Sequence, residues 1–385
     1  MKTLLTSLII LFLLMKSQVL FSQAIIIDHN CAKLDSIPES AILQAKSDLH
    51  IAYWHTSHGS QLTEGMKSLR DLDLTNLVGY KGDIYNWNDG GTDGALDLDD
   101  NYEGDLGHNG DLGWETTTRT YLADPTNSDV NVIIWSWCGG ASDNTEAGMN
   151  IYLNAMNQLE IDFPNIKFIY MTGHLDGTGE SGNLHVMNEQ IRNYCLNNHK
   201  ILYDFADIES YDPDGNYYLD KIANDNCDYD SEGNGTRNAN WATAWQNSHT
   251  EGTDWYSCSA AHSQALNGNL KAYAAWWLWA KLAGWENEVI SNVEQEQFGQ
   301  NTSDLKNYPN PFDSNTTIVY NLKENAHVKL ELWNASGQKI KVLLDQKQTK
   351  GKYSLPVNID NKKGVYFYTL NVNGKQISNK MLKLK

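Results

Sequence analysis

Apolar residues in the first three-quarters of the chain fall in short continuous runs, at 25–27, 50–54, 130–137, 166–172 and 200–205. Continuous rather than alternating apolar character suits strands covered on both faces, so these runs predict a buried sheet. Between or after them the period lengthens. Met149, Tyr152, Leu153, Met156 and Leu159 recur at helical spacing within 145–163, and Leu184, Met187, Ile191 and Cys195 do so within 183–197. A third segment, 266–282, carries Leu270, Tyr273, Trp277 and Lys281 and ends at Gly284. Strands alternating with helices predict an α/β fold, a three-layer α/β/α sandwich around a parallel sheet. Two Gly-, Asp- and Asn-rich stretches, 82–114 and 207–253, exceed ordinary loop length and read as functional insertions.

The pattern changes after residue 285. Residues 286–306 are polar, lack a core pattern and read as a linker. Beyond them 316–322, 328–333, 340–344, 351–357, 364–370 and 375–384 alternate apolar with polar, separated by turns such as Ala335-Ser336-Gly337-Gln338 and Val372-Asn373-Gly374-Lys375. Residues 307–385 therefore predict a small antiparallel β-sandwich.

Charge divides the chain at the same place. The 385 residues carry a net charge of −19, but residues 305–385 hold 14 Lys and no Arg against 5 acids. The acidic remainder repels phosphate, which excludes nucleic acid as a partner. Residues 1–23 begin Met1-Lys2, continue with an apolar run from Leu4 to Met15 and end in small polar residues, the layout of a secretory signal peptide. No later run reaches the roughly 18 to 20 apolar residues of a membrane helix, so no transmembrane segment is expected after signal removal. Of the five cysteines, Cys227 and Cys258 lie in polar, loop-like sequence and are the expected disulfide in an exported protein. Cys195 falls on an apolar helical face and reads as a buried thiol.

The tail carries ordered motifs: Tyr308-Pro309-Asn310-Pro311-Phe312, Leu332-Trp333-Asn334-Ala335-Ser336-Gly337, Gly364-Val365-Tyr366-Phe367-Tyr368 and a Lys-rich end. These closely resemble the type A sorting domain of the type IX secretion system. The resemblance implies cargo of a Bacteroidetes-type bacterium, with the type IX machinery as partner and release or attachment at the cell surface.

In an open parallel sheet, ligands bind beyond the carboxyl ends of the strands. Here those ends run into His55-Thr56-Ser57-His58-Gly59-Ser60, Cys138-Gly139-Gly140 and Gly173-His174-Leu175-Asp176, while Asp254–His262 precedes the last body helix. A hydroxyl, a base and oxyanion donors are what nucleophilic acyl transfer needs. Over about 48–284 the order resembles the SGNH hydrolases, secreted esterases and polysaccharide deacetylases. That resemblance implies an SGNH-like (flavodoxin-like) catalytic domain over 24–285. It assigns Ser57 as nucleophile, His262 as base and Gly139 as backbone donor, with Ser60 and Gly140 as rivals. The sequence departs from the family pattern in three places. Ser57 sits in His-Thr-Ser-His-Gly, His174 replaces an oxyanion-hole asparagine, and Ser259 replaces the acid before the base, leaving Asp254 or a backbone carbonyl to orient His262. No Gly-x-Ser-x-Gly elbow is present, which argues against an α/β-hydrolase.

The expected function is a secreted serine esterase or deacylase acting on an ester, acyl groups of a polysaccharide being one candidate, with no cofactor required for catalysis. Two alternatives come from other classes. His55, His58, His174, Asp176 and His262 offer the ligands of a metal-dependent hydrolase. Trp87, Trp114, Trp241, Trp245 and Trp255, in loop-like sequence, suit a non-catalytic carbohydrate-binding protein. A structural Ca2+ is expected at Asp228, Asp230 and Glu232, which follow the first half of a D-x-D-x-[DE]-G loop, although Ala239 stands where a bidentate glutamate should be.

Overall fold

The computed structural model describes residues 24–102, 104–286, 302–310, 312, 315–322, 325–334, 339–359, 363–373 and 375–384. The signal peptide and most of the linker read from the sequence lie outside them. The chain divides into two compact units, Met1–Glu286 and Asn287–Lys385.

The first unit holds seven strands: β1 (Ile25–Ile27), β2 (His50–Trp54), β3 (Trp87–Asn88), β4 (Leu96–Asn101), β5 (Val132–Trp135), β6 (Lys167–Met171) and β7 (Ile201–Tyr203). They form one sheet in the order β1-β7-β6-β5-β2-β4-β3, and every pairing is parallel. The helices are α1 (Glu39–Asp48), α2 (Ser60–Asp71), α3 (Gly113–Ala123), α4 (Glu146–Asp162), α5 (Asn183–Asn197), α6 (Phe205–Glu209), α7 (Trp241–Ser248) and α8 (Ala265–Leu282). α8 packs on α1 and α2, and α4 packs on α3 and α5, so the sheet lies between two helix groups.

The expected strands and helices form where the patterns place them. Thr145 caps α4 by accepting the Gly148 N–H, one reason the helix starts there. α8 is buried on almost every side, with Trp276 and Trp279 in the core, which explains why its apolar residues go all the way round. β3 and β4 lie inside the stretch read as an insertion. β4 is Leu-Asp-Leu-Asp-Asp-Asn, a composition that argues against a strand until its carboxylates find partners. Asp97 meets His50 at 2.7 Å, Asp99 accepts the Tyr121 hydroxyl, and Asp100 meets His55 at 2.5 Å.

β2 is the pivot of the sheet. From it the chain passes to β4 on one side and then to β5, β6 and β7 on the other, so the β2/β5 boundary is a topological switch point. Trp54 and Trp135, paired across that boundary, stack with centroids 4.8 Å apart and close the floor beneath it.

The second unit is antiparallel. β10 (Thr302–Tyr308), β11 (Asn315–Leu322) and β14 (Gly351–Asn358) form one sheet. β12 (Ala326–Asn334), β13 (Lys339–Gln348), β15 (Gly364–Val372) and β16 (Lys375–Lys383) form the other. Burial alternates along β11, and Ile318, Tyr320 and Leu322 share one core with Val328, Leu330, Tyr366, Tyr368 and Leu370 of the second sheet. In the first unit a two-stranded ribbon, β8 (Asp228–Tyr229) with β9 (Ala239–Asn240), sits within the second long insertion.

Candidate functional site

The crevice opens where β2 and β5 end. After Trp54 the chain turns through 55–59 into α2, and the turn is held at both ends. His55 is buried, with Nε2 on Asp100 and Nδ1 on the Thr56 carbonyl, and Thr56 donates to Asp105 at 3.0 Å. At Gly59 a Cβ would lie 2.2 Å from Ser136 Oγ and 2.4 Å from His55 Cβ, so the turn closes only without a side chain there. Ser60 donates to the Ser57 carbonyl at 2.7 Å and is buried, so this rival hydroxyl braces the turn.

Between them Ser57 and His58 face the crevice. His262 Nε2 lies 3.0 Å from Ser57 Oγ, the distance at which the hydroxyl donates to a neutral imidazole. His262 is exposed and takes φ +60°, left-handed backbone that a non-glycine residue rarely adopts. Its loop is fixed from below: Gln61 Nε2 donates to the Ala261 carbonyl at 2.5 Å, and Asn267 donates to Ser263 Oγ at 2.7 Å.

His58 belongs to a second chain of contacts. Its Nε2 lies 3.0 Å from Asp225 Oδ2, and its Nδ1 lies 3.1 Å from Cys138 Sγ. An ionised carboxylate only accepts, so Nε2 carries a proton and Nδ1 faces the thiol. Burial alone would depress His58, but hydrogen bonds to Asp225 and Cys138 outweigh it and hold the imidazole above its ordinary pKa. Burial would raise the Cys138 thiol, yet its polar neighbours Thr56, His58 and Ser57 hold it below its ordinary value. Asp225 is likewise held low, its desolvation outweighed by His58. Cys138 Sγ is 3.7 Å from Ser57 Oγ, so both chains meet in one crevice.

The His58 ring stacks on His174 at 3.6 Å and on His262 at 4.5 Å. His174 is buried, and desolvation lowers its pKa, so it is neutral. Its Nδ1 lies 3.1 Å from the Leu175 carbonyl, which fixes the proton on that nitrogen and leaves Nε2 as a buried lone pair with no partner among the described residues. In this tautomer His174 offers no N–H to an oxyanion from Nε2. Gly139, at φ +83°, sits on the turn after β5, and no described residue accepts its N–H.

The remaining sequence-predicted residues lie apart from this crevice or take other partners. Asp254 accepts the Thr250 N–H at 2.8 Å and lines a separate cavity of about 430 Å³ with His29, Tyr211 and Trp245. The carboxylate that does reach the site is Asp225, whose oxygen lies within 4.8 Å of ring nitrogens of both His58 and His262. Sequence reasoning missed it because Asn224-Asp225-Asn226 has no motif and sits mid-insertion. Of the expected metal ligands, His55 is turned to Asp100, whereas His58 and His262 share with Asp225 ligand atoms that all lie within 4.8 Å of one another.

Asp230 accepts N–H groups of Glu232, Gly233 and Gly235, Asp228 accepts the side-chain amides of Asn226 and Asn240, and Glu232 accepts that of Asn234. These three carboxylates thus point at amides of their own loop. The Cys227–Cys258 bridge is not formed, since all five cysteines are free thiols. Cys227 instead meets Ser263 Oγ at 3.6 Å and Cys258 donates to the Ala265 carbonyl at 3.3 Å. Cys195 is buried as expected. Trp87, Trp114 and Trp241 are core residues, and Trp245 and Trp255 are partly buried against that core.

Comparison with known proteins bears on the tail. Among curated proteins none matches the chain. One solved structure with a similar segment is dimeric latent PorU from Porphyromonas gingivalis, 20% identical over 21% of this chain with a TM-score of 0.19. Another is the sensor domain of the anti-sigma factor RsgI4 of Pseudobacteroides cellulosolvens, 14% identical over 22% of this chain and 94% of that one, TM-score 0.18. A Cellulomonas fimi endo-beta-1,4-mannanase double mutant is 12% identical over 76% of this chain and 54% of its own, TM-score 0.19. The match spans only 9% of the PorU chain, and similarity this low carries no argument about the body. Residues 306–384 match the secretion system C-terminal sorting domain. The chain is therefore a secreted or cell-surface protein of a Bacteroidetes-type bacterium, delivered by the type IX system through this tail.

Proposed function

We propose that the body is a serine ester hydrolase that removes acyl groups, with polysaccharide-borne esters as its substrate class. The observation that carries this reading is the 3.0 Å contact of Ser57 Oγ with His262 Nε2 at the topological switch point of the sheet. The Ser57 proton passes to His262 as Oγ attacks the acyl carbon. The N–H of Gly139 faces the developing oxyanion, and His262 returns its proton to the leaving alcohol. Water then repeats the sequence on the acyl-enzyme. Asp225, near both imidazoles, stabilises positive charge on His262 through space rather than by a direct hydrogen bond. For a sugar-borne ester the rim supplies an aromatic surface: Tyr102 is 60% exposed, with its ring edge-on to His55 at 5.2 Å.

The test is hydrolysis of p-nitrophenyl acetate and an acetylated polysaccharide by the purified full chain, together with fluorophosphonate labelling and peptide mapping. Adduct on Ser57, and activity that is lost in Ser57→Ala but survives chelator, support the reading. Chelator-sensitive activity supports metal-dependent hydrolysis instead. Glycan binding without turnover supports a binding protein.

A further inference from the structure

A second side chain in the crevice, Cys138, has the layout of an activated nucleophile. Activated nucleophiles are recognised by a base within hydrogen-bond reach and a third group that orients the base. Ser57 has the base, but no described carboxylate hydrogen-bonds to His262. Cys138 has all three parts: Sγ to His58 Nδ1 at 3.1 Å, and His58 Nε2 to Asp225 Oδ2 at 3.0 Å. The buried ring of His174, stacked at 3.6 Å, holds the His58 plane.

We infer that Cys138, with His58 as its base and Asp225 as the positioning residue for His58, is a second nucleophile of this site and takes acyl groups as a thioester. This rests on the acyl-transfer reading for its substrate class alone. The thiol proton moves to His58 Nδ1 as Sγ bonds to the acyl carbon. The C–O bond then breaks, and the alcohol leaves with the proton from His58.

The other four thiols form the internal control. Cys31, Cys227 and Cys258 are pushed up to about 12 by burial, and Cys195 is raised by the same cause. Cys138 is half-buried, next to a hydroxyl that also faces the crevice.

The full chain is treated with iodoacetamide without denaturant, and separately with p-nitrophenyl acetate, and adducts are located by peptide mass spectrometry. Expected are alkylation of Cys138 at least tenfold faster than in His58→Asn, a smaller slowing in Asp225→Asn, and an acetyl group on Cys138 that persists in Ser57→Ala. Equal alkylation rates in wild type and in both variants, each with native circular dichroism, overturn the inference. So does an absence of acetyl on Cys138 in Ser57→Ala. Fluorophosphonate adduct on Ser57 is scored independently, so either nucleophile can fail while the other stands.

Discussion

Lys271 and Glu209 form an ion pair 2.6 Å long in which neither side chain has any exposed surface. Burial pushes the Lys271 ammonium down, and the Glu209 carboxylate opposes it. The pair is also a junction for the site. Glu209 accepts the Leu175 N–H at 2.7 Å, beside His174, and Lys271 donates to Gln61 Oε1 while Nε2 of the same amide donates to the Ala261 carbonyl, beside His262.

Removing one member of such a pair leaves the other charged, buried and unpaired, which costs about 3–5 kcal/mol. Lys271→Met and Glu209→Gln are both expected to lower stability by that order, measured by urea unfolding. A loss under about 1 kcal/mol in both would show that the pair holds nothing together.

The two serines of the β2 turn separate cleanly. Ser57→Ala and His262→Ala are expected to lower kcat/KM for an ester by about 10²–10⁴-fold. Ser60→Ala keeps most of the activity, because that hydroxyl only braces the turn. The reverse ranking would move the nucleophile to Ser60.

Gly59→Ala places a methyl group inside Ser136 and His55, at 2.2 and 2.4 Å. The turn must open, at about 1–3 kcal/mol of stability. A displacement near 1 Å at Ser57 is worth about 10²-fold in rate. Thermal melting and ester hydrolysis measured together check this, and a fully active, fully stable variant contradicts the packing described.

Alkylation needs the thiolate, so its pH dependence reports the Cys138–His58 pair. The thiol is held below its usual value and the imidazole above its own, in the company of Thr56, Ser57, Glu209 and Asp225. The rate of Cys138 modification should therefore rise through a midpoint below the ordinary thiol value of about 8.5 and approach that value in His58→Asn. A wild-type midpoint at or above the ordinary value would contradict the lowering of the thiol by its neighbours.

Burial would raise the Asp230 pKa, but the backbone N–H groups of its loop outweigh it and hold the pKa low. A carboxylate lowered on folding adds stability that is complete above its unfolded pKa of about 3.9 and is lost as pH falls through the folded value. Asp230→Asn should flatten the acid limb of the stability curve below about pH 4. Because the loop amides already occupy these carboxylates, chelation is expected to leave the melting temperature unchanged. A fall on chelation, reversed by added calcium, would show that the loop carries the ion expected from its sequence.

Much of this fold is written in apolar periodicity. Five strands and the helices α4, α5 and α8 bury the apolar residues whose spacing predicts them. β4 is illegible because its burial depends on His50, His55 and Tyr121, partners contributed by distant segments. The site divides along the same line. Ser57, Gly139 and His262 sit at strand ends or just before a helix, where topology announces them. Asp225 does not, because a carboxylate becomes a partner for His58 only after an insertion of nearly fifty residues has folded back over the crevice. Cys138 was visible as a strand-end residue, but its chemistry comes from neighbours 80 and more positions away.

Ser57 and His58 are consecutive, yet one contacts His262 and the other contacts Cys138. A single peptide unit therefore gears these two pairs together. A twist of that peptide that brings the hydroxyl nearer His262 carries the imidazole with it relative to Cys138. Neither centre can be retuned by moving this turn without detuning its neighbour, so divergence of the two activities would have to come from the opposing walls, at 138–140, 225 and 262.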